Sequence, residues 1–135
     1  MESSNIRIHW DWVKPLLEKL HARDGVRGVT DWIPEDIYAA CITGNAFFYV
    51  VTNGFLVCQQ LPINNSPKSE LFVWVACSIE QDYISAIDLN QNAVVDLARS
   101  IGASQVAFCT TRKGYEKVAS EVGYRFAYSK YVMEV

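Results

Sequence analysis

The sequence has few of the residues that build several common kinds of site. Glycine accounts for 7 of its 135 residues, and none lies in the segment Ser78–Asp88. It has 2 histidines, and its 4 cysteines stand far apart, at Cys41, Cys58, Cys77 and Cys109. Metal sites and P-loops need clustered ligands or glycine-rich loops, and the sequence carries neither pattern. A zinc centre, a P-loop and a catalytic triad are therefore not expected.

The chain also lacks a strong charge and a long apolar run. Its formal net charge is -3 and its isoelectric point is near 5.3, which gives no general attraction for nucleic acid or anionic membrane. No apolar run reaches the roughly 20 residues of a membrane span, and the polar N-terminus does not resemble a secretory signal. We therefore expect neither a membrane nor a nucleic-acid partner, and we expect reduced cysteines in a cytoplasmic or virion protein.

What the chain does have is enough apolar sequence for one core. Half of its residues are hydrophobic, and a length of 135 residues suits a single domain spanning 1–135. Ile6-Arg-Ile8 predicts a short first strand, and Asp11 predicts the cap of a helix that carries Pro15 in its first turn. A second helix is predicted to open at Pro34 and to end at Gly44.

The middle of the chain predicts a β-hairpin followed by a crossover. Apolar runs 46–52 and 55–61 flank Asn53-Gly54, the dipeptide most typical of a tight hairpin turn. Run 71–77 predicts a third strand, and a helix ending at Gly102 leads to a strand at 105–111. Because that helix forces a crossover, 71–77 and 105–111 are expected to be parallel neighbours.

The C-terminal part predicts a short helix that ends at Gly123 and an alternating closing strand over 124–133. The predicted order is β-α-α-β-β-β-α-β-α-β, with one mixed sheet of the α/β (α+β) class. The strands are too continuously apolar for a sheet with one wet face, so helices are expected on both faces.

This order and two local stretches resemble the GNAT (GCN5-related N-acetyltransferase) fold. The stretches are Leu97-Ala-Arg-Ser-Ile-Gly-Ala103 and Gly114-Tyr-Glu-Lys-Val-Ala-Ser-Glu-Val-Gly-Tyr124, each placed before a strand. Three further stretches look similar to small GNAT-like proteins of tailed bacteriophages: Trp32-Ile-Pro-Glu-Asp-Ile with Gly44, Thr111-Arg-Lys-Gly-Tyr115 and Val122-Gly-Tyr124.

The resemblance implies an acetyl-CoA loop that this sequence does not match. Family members carry Arg/Gln-x-x-Gly-x-Gly/Ala before the crossover helix, where backbone N–H groups hold the pyrophosphate. Counting back from Gly102 places that loop at 82–87, where Asp82 replaces the cation and Ser85 and Ile87 replace glycines. Their Cβ atoms would obstruct close backbone approach, and the acidic side chain would repel the phosphates.

The family's general-acid tyrosine is missing as well. Its position falls on Ala119, so Tyr115, one turn earlier on the same helix face, is the candidate substitute. The alternative for Tyr115 is a core or interface aromatic. The resemblance implies the following candidate cofactor-binding residues: Ala76 and Cys77, through their backbone groups, with Ser85, Ala86, Thr111 and Arg112.

Two hypotheses of different class follow. The first is a non-enzymatic interaction module, such as a phage virion or assembly protein, that binds a protein partner and needs no cofactor; its aromatic residues would serve as contacts. The second is a divergent N-acetyltransferase whose acetyl-CoA lies between the splayed strands 71–78 and 105–111. A nucleophilic Cys109 is a third hypothesis, although no histidine is placed to activate it.

Overall fold

The computed structural model describes residues 2–25, 32–64, 66–80, 90–109, 120–128, 131, 133 and 135. Its named elements are α1 (Ile6–Gly25), α2 (Pro34–Ile42), β1 (Phe47–Val51), β2 (Gly54–Pro62), β3 (Ser69–Ser78), α3 (Gln91–Ser100) and β4 (Gln105–Phe108).

One mixed sheet carries the four strands in the order β1-β2-β3-β4. β1 pairs antiparallel with β2, β2 pairs antiparallel with β3, and β3 pairs in parallel with β4. The parallel register runs from Glu70 opposite Gln105 to Val73 opposite Phe108. The predicted hairpin and the predicted parallel pair are both confirmed.

The hairpin turn uses its two residues differently. Asn53 has φ +62°, the left-handed region that asparagine tolerates better than most residues. Gly54 does not have a positive φ; it is required because a Cβ there would overlap the carbonyl oxygen of Cys77 on β3. Asn53 therefore provides the backbone conformation of the turn, and Gly54 allows the backbone of β3 to pack close to it.

Helices cover both faces of the sheet, as predicted. α1 and α2 pack on one face, where Val13, Leu17 and Ile37 meet Phe48 and Phe55. On the other face, α3 places Val94, Leu97 and Ala98 against a second cluster: Tyr49, Leu56, Cys58, Leu71 and Val73. Burying a large apolar side chain contributes about 1.5–3 kcal/mol, so both clusters hold the layers together.

The predicted first strand is wrong, because α1 already begins at Ile6. Ile6 is 1% exposed whereas Ile8 is 76% exposed, and Ile6 shares its buried face with Val13 at helical spacing. The Asn5 side chain accepts the Arg7 N–H at 3.0 Å, so Asn5 caps the helix instead of Asp11. Pro15 consequently lies inside α1 and not in its first turn.

The second helix agrees with its prediction. Pro34 opens α2, the Ile33 N–H donates to the Asp36 carboxylate at 2.9 Å, and Gly44 has φ +80° just after the helix. None of the helices in the described ranges is long and apolar enough to cross a membrane.

The predicted closing strand is not found among the described residues of 124–133. Residues 124–128, 131 and 133 belong to no strand, and Phe126 and Tyr128 are 72% and 74% exposed. Alternating apolar residues form a strand only where a neighbouring edge pairs with them, and the described residues show no such pairing here. Of the short helix before Gly123, the structure describes only the end, with Gly123 at φ +99°.

Gly54→Ala should destabilise the fold more than Gly44→Ala. The new Cβ at position 54 meets backbone of β3, which cannot rotate away, and we expect a loss of about 2–3 kcal/mol. At Gly44 nothing lies within 4 Å of the added atom, so only the positive φ costs free energy, about 1 kcal/mol. Urea unfolding of the two variants measures both values. Equal losses of unfolding free energy in the two variants would contradict the close approach of β3 to Gly54.

Candidate functional site

An extra residue in β3 divides that strand into two halves. Val57 of β2 pairs with Val75 and Cys58 pairs with Val73, so Trp74 is left without an opposite residue. A bulge of this kind reverses the faces to which the side chains point. Val73 packs in the α3 cluster, whereas Val75 and Cys77 pack in the α1–α2 cluster.

The bulge coincides with the end of pairing between β3 and β4. The last parallel pair is Val73 with Phe108, and Cys109 is no longer in a strand. β3 itself continues to Ser78. Within the described ranges, no strand pairs with residues 74–78 on the β4 side. We call residues 74–78 the open edge of β3.

The backbone of Ala76 points out of this open edge. The Ile79 N–H donates to the Asn53 carbonyl at 2.8 Å, and the carbonyl of Cys77 lies against Gly54. Backbone groups of alternate residues face the same neighbour, so residues 77 and 79 face β2 and Ala76 faces the other side. The geometry therefore favours Ala76 over Cys77 as an edge donor and acceptor.

The N-terminus of α3 carries an unusual cap. Asn90 occupies the capping position, yet its side chain makes no capping hydrogen bond to the helix. Its Oδ1 accepts the Thr52 N–H at 3.3 Å, and its Nδ2 donates to the Thr52 carbonyl at 3.0 Å. Because the side chain is bound to the hairpin turn, it does not serve as the acceptor for the first backbone N–H groups of α3.

A second contact ties the start of α3 to the end of β4. The Tyr124 hydroxyl donates to Gln91 Oε1 at 3.1 Å, and its ring meets Phe108 edge-on, with centroids 4.8 Å apart. Gln91 is the first residue of α3 and Phe108 is the last of β4. These contacts place the helix start beside the point where β3 and β4 separate.

Most sequence-predicted site residues lie outside the described residues. This holds for Ser85, Ala86, Thr111, Arg112 and Tyr115, whose roles stay predictions. Ala76 and Cys77 both lie in the open edge of β3; the Ala76 side chain packs against the α3 cluster, and the Cys77 side chain belongs to the α1–α2 cluster. The sequence did not predict the side-chain hydrogen bonds of Asn53 and Asn90. The only signal for them was the presence of an asparagine at each position.

The tryptophans belong to the layer between α1, α2 and the sheet. Trp32 is 7% exposed, and Trp10, Trp12 and Trp74 pack against the α1–α2 cluster. The histidines also lie in this layer: His9 Nδ1 accepts the Trp12 indole N–H at 3.1 Å, and the His21 ring contacts Trp32. In the described ranges, no group of three or more His, Cys, Asp or Glu side chains could hold a metal ion.

A cleft of about 220 Å³ lies at the other end of the sheet, away from the open edge. Its walls are mostly apolar, and the Gln60 amide in them already donates to Ser69 Oγ and to the Ile101 carbonyl. It brings together no nucleophile and base. The lining residues are Ser3, Phe47, Tyr49, Gln60, Leu71 and Ile101.

All four cysteines are described, and none forms a disulfide. Cys58 and Cys77 are buried, Cys41 is half-buried and Cys109 is exposed. Burial raises the pKa of Cys41 to about 11, and burial, with a smaller contribution from Cys41, raises the pKa of Cys58 to about 12. Both remain thiols at neutral pH and are poor nucleophiles.

Alkylation at pH 7.4 should therefore modify Cys109 first. We expect Cys58 to react at least about 100-fold more slowly, because its thiolate fraction is small and its side chain is buried. Peptide mass spectrometry after timed iodoacetamide treatment gives the order, and alkylation in denaturant without reductant should modify all four. Early labelling of Cys58, or fewer than four sites in denaturant, would contradict this account.

No protein-family profile matches the chain, and neither does any curated protein. Solved structures do match over almost its whole length. A probable acetyltransferase has a TM-score of 0.68 at 17% identity, covering 99% of this chain and 96% of that one. A possible acetyltransferase from Clostridium difficile 630 has a TM-score of 0.65 at 10% identity, covering 99% and 95%.

A third match is an aminoglycoside acetyltransferase from an uncultured soil metagenomic sample, in complex with sisomicin. Its TM-score is 0.60 at 11% identity, covering 98% of this chain and 95% of that one. These matches give no support to a virion protein. At identities this low, the matches show that these proteins share a fold with this chain, in agreement with its single mixed sheet. The chain has a GNAT-like fold.

Proposed function

We propose that the protein is an acetyl-CoA-dependent N-acyltransferase that holds its donor along the open edge of β3. The observation that carries this proposal is the bulge at Trp74, where β3 leaves β4 and turns the backbone of Ala76 outward. The pantetheine arm of acetyl-CoA is extended and contains two amides, so it can pair with such an edge as an added strand would.

The phosphates of the donor would lie toward the start of α3. Asn90 does not cap its first turn, since the Asn90 amide is bound to Thr52. A helix N-terminus attracts anions through its N–H groups and dipole. The neighbouring sequence opposes this attraction, because Asp82, Ser85 and Ile87 stand where a cation and glycines would favour phosphate. We therefore propose that the arm, and not the phosphates, dominates donor binding.

The reaction we propose is acyl transfer from the thioester to an amine. The neutral amine nitrogen attacks the thioester carbonyl to form the new C–N bond, the C–S bond breaks, the nitrogen releases a proton to solvent, and the departing sulfur takes up a proton. Tyr115 is the candidate for supplying that proton, as the resemblance implies. A chain with a net charge of -3 suits a cationic amine as acceptor. Cys41 and Cys58 are unsuited to a covalent acyl intermediate because their pKa values are raised to about 11 and 12.

A non-enzymatic interaction module is the second candidate. The glycine-free segment with Asp82 favours it, as does the exposure of Phe126 and Tyr128 near the C-terminus. The fold matches with acetyltransferases favour the enzyme. Donor binding separates the two, because an interaction module has no reason to bind acetyl-CoA.

Calorimetric titration with acetyl-CoA and with S-acetylpantetheine tests the proposal. We expect both to bind, with acetyl-CoA no more than about 100-fold tighter, because one charge-assisted contact contributes about 1.5–3 kcal/mol and few are available. Absence of binding by either compound would reject the enzyme. Acetyl-CoA binding about a thousandfold tighter than S-acetylpantetheine would instead reject the dominance of the arm.

Restoring the phosphate loop should strengthen donor binding. The triple variant Asp82→Arg, Ser85→Gly, Ile87→Gly removes two Cβ obstacles and reverses one charge, and we expect at least about a tenfold gain for acetyl-CoA. The matched control is Asp96→Arg, which makes the same charge change on the exposed surface of α3. An equal gain in the control would show that net charge alone is responsible. No gain in the triple variant would mean that the phosphates lie elsewhere.

A further inference from the structure

The hairpin turn between β1 and β2 holds both the end of β3 and the start of α3. On the β3 side, Asn53 Oδ1 accepts the Glu80 N–H at 3.1 Å, and Asn53 Nδ2 donates to the Glu80 carbonyl at 3.2 Å. The Asn53 carbonyl also accepts the Ile79 N–H at 2.8 Å. One residue thus extends the β2–β3 pairing past Ser78, with its side-chain amide acting as a further peptide group.

A second asparagine amide makes the equivalent pair of hydrogen bonds on the helix side. Here the amide comes from the residue before α3 and the backbone groups come from the hairpin turn. The amide of Asn90, just before α3, donates to and accepts from the backbone of Thr52. Thr52 and Asn53 are consecutive, so two asparagine amides bring the end of β3 and the start of α3 to adjacent residues of one turn. We call these four hydrogen bonds the asparagine clamp.

The clamp joins the two elements that the proposed donor site needs in register. The open edge of β3 ends at Ser78, two residues before Glu80, and α3 starts one residue after Asn90. A donor that pairs with the edge and extends to the helix start would bind more weakly if the two elements shifted relative to each other. A ligand restricted to the edge would not. Small errors in such alignment are costly in affinity because contacts at both ends cannot form together.

We infer that Asn53 and Asn90 are positioning residues that align the open edge of β3 with the N-terminus of α3 for acetyl-CoA. This rests on the proposed function, and neither residue is assigned a direct part in the chemistry. Asn53 suits the role because its side chain is short enough to reach Glu80 and its backbone adopts φ +62°. Asn90 suits it because a capping asparagine would otherwise bond to the first turn of α3.

Two variants and one control test the clamp. Asn53→Gly removes the side chain and keeps the freedom to adopt a positive φ, and Asn90→Ala removes the amide at a residue with ordinary φ of -108°. The control Asn45→Ala also removes an exposed asparagine side chain, but one that bonds only locally, to Thr43 Oγ1.

The first measurement is amide hydrogen exchange in the unliganded protein. We expect the Glu80 amide to exchange at least about threefold faster in Asn53→Gly and the Thr52 amide likewise in Asn90→Ala, since each loses its acceptor. Asn45→Ala should change neither. Unchanged exchange in both clamp variants would overturn the inference, whatever the protein binds.

The second measurement is calorimetry with the two donors used for the wild-type protein. In each clamp variant we expect acetyl-CoA affinity to fall at least about threefold, and S-acetylpantetheine affinity to stay within about 1.5-fold. A general loss of stability would weaken both ligands alike, and this result would overturn the positioning role. So would unchanged affinity for acetyl-CoA. If the wild-type protein binds neither donor, the proposed function fails and the positioning role fails with it.

Discussion

The extra residue at Trp74 is the constraint on which the architecture depends. A regular strand would send Leu71, Val73, Val75 and Cys77 to one face, and one of the two cores would lose its share of β3. With the extra residue, the first pair fills the α3 cluster and the second pair fills the α1–α2 cluster. The same local bend ends the pairing with β4, so the packing of both cores and the open edge have one cause.

The hairpin turn is the second fixed point, and its residues act through backbone geometry. Gly54 lets the carbonyl of Cys77 approach β2, while Asn53 and Asn90 use side-chain amides in place of peptide groups. The pairing of β2 with β3 thus extends beyond the last strand residue without further strand. Because these bonds are exposed, each contributes about 0.5–1.5 kcal/mol, and their value lies more in alignment than in stability.

Local signals in the sequence were enough for part of this fold. Asn53-Gly54 predicted the hairpin, and Pro34 with Gly44 predicted α2. Ile6-Arg-Ile8 misled because three residues cannot distinguish a strand from the first turn of a helix. The bulge could not be predicted from the sequence. The run 71–77 is apolar at every position, so it shows no alternation whose phase could change at Trp74. The choice of Ala76 over Cys77 depends on that phase. The asparagine clamp joins residues that are distant in the sequence. Its hydrogen bonds could not be predicted, because a single asparagine in a sequence does not indicate which residue its side chain will contact.

A degenerate phosphate loop is compatible with an enzyme if the phosphate contacts and the contacts to the pantetheine arm are considered separately. Phosphate contacts lie far from the thioester and are equally strong before and during acyl transfer. Their loss raises KM for the donor and leaves kcat unchanged, because only contacts that strengthen in the transition state accelerate the reaction. The proposed pairing of the donor along β3 would use backbone groups, which side-chain replacement at Asp82 or Ser85 does not remove. Side chains at the loop can therefore change while the thioester keeps its place, provided that the edge and the helix start stay aligned.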